Sequence, residues 1–244
     1  MAELVYPPVI GLARTWFKAL DLRFDMHGTE HVPHKGGAVL VSNHISYLDF
    51  IFTGLAARPA KRLVRFMAKD SVFRHKVSGP LMRAMKHIPV DRSQGENAYK
   101  HALKALRSGE IIGVFPEATI SRSFALKEFK TGAARLAQEA GVPLVPMALW
   151  GTQRLWTKGH KRDFGRHHIP IGIRVGEALR PARDEPAPAV TERLRERVQE
   201  LLESAQRAYP VCTKSEGERP WWLPAHLGGS APTPHQAQLL DAGR

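Results

Sequence analysis

Short apolar runs bounded by turn residues alternate with helical periodicities along most of this chain, and that alternation restricts the fold more than any other feature. Residues 38–41 (after Gly36-Gly37), 64–67, 88–90, 111–115, 142–149 and 169–175 each have the length and apolar content of a buried strand. Helical patterns lie between them. Ser93 with Glu96 forms a capping-box signature, followed by Tyr99, Ala102, Leu103 and Leu106 on one face and a stop at Gly109. A second helix is expected over about 129–140, closed by Gly141. A third is expected over about 191–208, with Leu194, Val198, Leu201, Ala205 and Ala208 in register. Strands separated by helices predict an α/β layered domain, with a mixed, mostly parallel sheet flanked by helices. No internal repeat interrupts the pattern, so 26–209 reads as one domain.

The two ends differ from this middle. In 1–25, Pro7-Pro8 suit a helix start. Val9, Leu12, Ala13, Trp16, Phe17 and Leu20 then fall on one face, with Arg14, Lys18 and Asp21 off it. Such an amphipathic helix packs its stripe on the core or lies in the plane of a membrane with Trp16 at the interface. The stripe alone does not separate the two. Residues 210–244 hold five prolines and four glycines without apolar periodicity and are expected to form a flexible tail. Its one apolar cluster, Trp221-Trp222-Leu223, is expected to dock on the domain.

Charge narrows the partners. With 36 Lys and Arg against 23 Asp and Glu, the net charge is +13, which draws a protein to phosphate in nucleic acid or on an anionic membrane. Ten of the basic residues lie in 58–92, against only Asp70 and Asp91, which suits a membrane surface and phosphate headgroups. Nucleic-acid binding is not expected, because Phe66 and Phe73 are the only aromatic residues in that stretch and no binding signature occurs. The 12 histidines include His31 with His34 and His167-His168, but none has a familiar metal-ligand spacing, so no metal is expected. Cys212 is the single cysteine and excludes a disulfide framework. No run reaches the roughly 20 apolar residues of a spanning helix, and no secretory leader is recognisable.

Chemistry-bearing residues gather where strands are expected to end. His44 follows the first strand and Asp49 comes five residues later, close enough for a tight turn to bring the carboxylate to one ring nitrogen and leave the other for a hydroxyl proton. Asp49 as a helix cap, with His44 bonded to backbone, is the alternative. Residues 87–92 place the charged pair Asp91 and Arg92 at the end of the third strand, and 115–122 carry Glu117, Thr119, Ser121 and Arg122 after the fourth. Three polar clusters at three strand exits converge on one edge of a parallel sheet, where α/β folds hold ligands.

Asn43-His44 with Asp49, Val90-Asp91-Arg92, Phe115-Pro116-Glu117 with Thr119 and Ser121, and the 142–146 Val-Pro block together resemble the four ordered motifs of the glycerolipid acyltransferases, bacterial 1-acylglycerol-3-phosphate acyltransferases among them. The likeness spans about residues 30–180. It implies acyl transfer from acyl-CoA or an acyl-carrier protein to the hydroxyl of a lysophosphatidate-type acceptor, with no cofactor. His44 is then the base and Asp49 its orienter. Arg92 holds the acceptor phosphate, Glu117 meets its glycerol, and Asn43, Thr119, Ser121 and Arg122 are further substrate contacts. The Val-Pro block would shape the sheet edge and an acyl tunnel. The expected location is the cytoplasmic face of the membrane, peripheral or monotopic. Two departures stand out. The family's third motif usually reads Glu-Gly-Thr-Arg-Ser, whereas this chain has Ala118 and Ile120, and Lys86 replaces the glycine that often opens the second. The absent arginine at 120 leaves another lysophospholipid or glycolipid as a competing acceptor. A non-catalytic membrane-surface protein of this fold is the remaining alternative.

Overall fold

The computed structural model describes residues 5–76, 78–90, 95–210 and 219–242. In chain order the elements are α1 (Tyr6–Ala19), β1 (Arg23–His27), β2 (Ala38–Ser42), α2 (Asp49–Ala56), β3 (Val64–Lys69), α3 (Asp70–Arg74), α4 (Ser78–Ala84), β4 (Ile88–Val90), α5 (Gly95–Arg107), β5 (Ile111–Val114), α6 (Gly132–Ala140), β6 (Leu144–Trp150), β7 (Pro170–Val175), α7 (Ala187–Ala208) and α8 (Pro234–Ala242). The strands form one sheet in the order β1-β7-β6-β2-β5-β3-β4. Among these seven strands, β6 pairs with β7 antiparallel and the other pairings are parallel. The expected α/β layered fold is therefore present.

β2 sits centrally and is buried on both faces, which is why it reads as an unbroken apolar run. Ala38 and Leu40 join the layer beneath α1 and α2, while Val39 and Val41 face the layer built with α5, α6 and α7. Because β6, β2 and β5 are adjacent and parallel, their carboxyl ends open side by side. β4 lies at the sheet margin, three strand spacings from β2, or about 14 Å.

The N-terminal helix packs on the domain through Tyr6 and Phe17, the latter stacked on Phe52 at 5.2 Å, and leaves Leu12 74% exposed. The stretch 210–244 departs from the expected flexible tail wherever it is described. Trp222 and Leu223 are buried with Trp150, Phe124, Tyr209 and Ala231, so the aperiodic sequence encodes turns that wrap the domain. Cys212 and the Ser93 half of the capping box lie outside the described residues.

Part of the basic stretch is spent inside the fold. Arg65 is buried and donates to the Met85 carbonyl, and Arg62 donates to the carbonyls of Pro33, Gly36 and Gly109. Arg74 pairs with Asp70. Arg62 and Arg65 thus hold loops together, whereas Arg74 stays 77% exposed on α3. His87 is likewise structural. It accepts the Phe66 N–H at Nδ1 (3.1 Å), and burial with the nearby Arg65 charge holds its pKa down to about 4.

Candidate active site

The loop leaving β2 turns sharply because one carboxylate organises it. Asp49, fully buried at the first turn of α2, accepts the backbone N–H groups of Ile45 and Ser46 on Oδ2, each at 2.7 Å, and the Thr152 hydroxyl on Oδ1 at 2.7 Å. The same Oδ2 lies 3.0 Å from His44 Nδ1. Because Oδ2 already accepts two backbone N–H groups, Nδ1 is assigned the hydrogen that it donates to Oδ2, and the lone pair stands on Nε2. The imidazole is 21% exposed, and Phe115 stacks on it at 4.4 Å, which fixes the plane of the ring. Phe115 in turn stacks on Phe66 at 6.1 Å. Gly113 makes room for that ring, since a Cβ there would lie 2.3 Å from the Phe66 side chain.

Glu117 ties the β5 exit to the β2 exit. Its Oε1 accepts the His44 N–H at 2.8 Å and its Oε2 the Lys127 N–H at 3.0 Å, with the residue 5% exposed. Burial pushes its pKa up and the charge of Asp49 adds to that, while the two N–H donors pull the other way, for a balance at about 8. Glu117, expected to meet the acceptor's glycerol, has both oxygens on backbone donors and ties down the loop that carries His44.

Two other expected substrate contacts are likewise engaged with backbone. Asn43 is fully buried, donating to the Leu149 carbonyl (3.0 Å) and accepting its N–H (2.7 Å), so its amide clamps β2 to β6. Ser121 is buried, with its N–H on the His44 carbonyl and its hydroxyl on the Ala125 carbonyl. Thr119 is exposed and receives Lys127 Nζ at 2.7 Å, and Arg122 lies in the same loop. Arg92 lies outside the described residues.

Several residues of this site carry no sequence signature. Thr152, the Trp156 carbonyl (which accepts the Ser46 hydroxyl) and Thr157 (which donates to the Ile45 carbonyl) brace the His44 loop from the segment after β6. The signal available was positional, since that segment leaves the strand next to β2. On the other side, α1, α2 and β3 border an apolar groove of about 100 Å³ lined by Val9, Phe17, Phe50, Ile51, Leu55 and Phe66. Phe66 connects it to His44 through Phe115.

The chain matches the Acyltransferase family over residues 23–150, from β1 to the end of β6. A 1-acyl-sn-glycerol-3-phosphate acyltransferase of Bacillus subtilis is 31% identical over 190 residues, which cover 72% of this chain and 86% of that protein. One from Limnanthes douglasii is 32% identical over 174 residues, 70% of this chain but 58% of its own length. The crystal structure of the 1-acyl-sn-glycerophosphate (LPA) acyltransferase of Thermotoga maritima superposes with a TM-score of 0.69, covering 84% of this chain and 81% of that one at 21% identity, a likeness of fold. On the family match and the shared sequence, this chain belongs to the acyltransferase family.

Proposed function

We propose that the protein esterifies the free hydroxyl of a lysophosphatidate-type acceptor with a fatty acyl group taken from an acyl-CoA or acyl-carrier-protein thioester. The observation that carries this reading is the His44–Asp49 contact at 3.0 Å beside the apolar groove. His44 Nε2 takes the hydroxyl proton as the oxygen attacks the thioester carbonyl. The new C–O bond forms, the C–S bond breaks, and the imidazolium returns its proton to the departing thiolate. Asp49 keeps the proton on Nδ1 and stabilises the transient imidazolium. No acyl-enzyme is needed. The names of the relatives support the acceptor class, and the acyl chain is assigned to the groove between α1 and α2. Arg92 and Arg122 are assigned to the acceptor phosphate.

Because its substrates are lipids, the protein is assigned to a membrane surface, on the cytoplasmic face. Among the described residues no helix is long and apolar enough to cross a membrane. Attachment is therefore assigned to the exposed apolar residues of α1 together with basic side chains. The test is to supply oleoyl-CoA with lysophosphatidate or with other lysolipids and to identify products by mass. Phosphatidate is the expected product. Acylation of a different lysolipid in its place would change the acceptor, and no product from any acceptor would overturn the reading.

A further inference from the structure

Ile120, where the family's third motif usually has arginine, is 5% exposed and presents no charge, so a phosphate acceptor must be held elsewhere. Cations do converge on one carboxylate, from the loops that follow β5 and β6. Arg122 Nε lies 3.0 Å and Lys127 Nζ 3.3 Å from the carboxylate of Asp241, and Lys158 Nζ donates to the same group. The Arg122 and Lys158 side chains are only 9% and 19% exposed. The pocket is shaped for them: Gly159 has a left-handed backbone (φ 88°), and a Cβ there would lie 2.5 Å from Arg122 Nη1. Both loops are hydrogen-bonded to the His44 loop, through Glu117 and Thr157.

Asp241 does not belong to either loop. It comes from α8, a nine-residue helix in which only Ala237 is buried, while Leu239 and Leu240 are 62% and 50% exposed. A helix this short is marginal by itself, and α8 has little apolar burial to hold it down. The preceding segment, by contrast, is anchored by Trp222 and Leu223. The carboxylate among three cations is thus the principal polar tie of α8. One carboxylate also leaves the trio with two positive charges in excess, which a phosphate monoester carrying about −1.5 to −2 matches better.

We propose that Arg122, Lys127 and Lys158 form the seat of the acceptor's phosphomonoester and that Asp241 occupies it in the resting chain. α8 is then a latch that the substrate headgroup displaces. The pairing also accounts for the state of Asp241: partial burial pushes its pKa up, but the hydrogen bonds from Lys158, Arg122 and Lys127 hold it at about 2, so the latch stays charged across the working pH range. The inference rests on the acyl-transfer reading for the identity of the ligand but not for the existence of the anion site.

The test uses the full chain with Asp241→Asn, alone and combined with Arg122→Ala. Titration with inorganic phosphate is expected to show about tenfold tighter binding to Asp241→Asn than to wild type, and loss of that gain in the double variant. The KM for lysophosphatidate should fall by a similar factor in Asp241→Asn, with no matching fall in the KM for acyl-CoA. Phosphate binding that is unchanged or weaker in Asp241→Asn would overturn the latch, since a purely structural Asp241 predicts that result. A shift in the KM for acyl-CoA in place of the acceptor's would overturn the acceptor assignment. If no acyl transfer occurs with any acceptor, the phosphate titration still decides the anion site, so the two readings fail separately.

Discussion

Replacing Asp49 with Asn is expected to leave the fold intact and to lower turnover by about 10²–10⁴-fold. The asparagine oxygen can take the place of Oδ2, accepting the N–H groups of Ile45 and Ser46 and the Nδ1–H of His44, while its amide faces the Thr152 hydroxyl. Geometry and tautomer survive. The buried negative charge that stabilises the imidazolium does not. Asp49→Ala separates this role from a structural one, because it leaves two buried N–H groups without an acceptor at about 1–3 kcal/mol each. Equilibrium denaturation with steady-state kinetics on both variants makes the check. A rate loss in Asn matched by an equal loss of stability would remove the electrostatic role.

The second large effect belongs to Glu117. Glu117→Ala strips the acceptors from His44 N–H and Lys127 N–H and unties the β5 loop from the β2 loop. A stability loss of about 2–5 kcal/mol is expected. A fall in turnover of about 10²-fold should accompany it, from misplacement of His44. A pH signature goes with it. Because the folded-state pKa of about 8 lies above the ordinary value of 4.5, the folded chain binds this proton more tightly than the unfolded chain. The contribution is complete below pH 4.5 and is lost as pH rises through 8. Unfolding free energies from pH 5 to 8 should therefore decline less steeply in Glu117→Ala than in wild type. Parallel slopes would mean that Glu117 titrates normally.

The parts of the fold that were legible in the sequence are those buried on both sides. β2, β5 and β6 read as apolar runs because helices cover both faces of the sheet. β1 was missed because it is an edge strand, with charged residues alternating along an exposed ribbon. α2, α3 and α4 are five to eight residues long, too short to establish a period. Within the site, His44 and Asp49 were legible because their contact is local. Thr152 and Thr157 were not, since they reach the same loop from more than 100 residues away. Asn43, Glu117 and Ser121 stood out in the sequence, but as substrate contacts. Their polar atoms hold backbone here, and the spelling of a motif cannot distinguish the two roles. Ala118 has a left-handed backbone with φ 60°, which costs a residue with a Cβ about 1–2 kcal/mol and gives the physical reason that glycine suits this position.

The most direct test of the central claim is thiol release from oleoyl-CoA in the presence of lysophosphatidate, followed in wild type and His44→Ala at equal protein, with the intact protein mass recorded after exposure to donor alone. Direct attack assisted by His44 predicts stoichiometric thiol and phosphatidate from wild type, background release from the variant and no acyl adduct on the protein. Wild-type rates in His44→Ala, or an acylated protein, would contradict it.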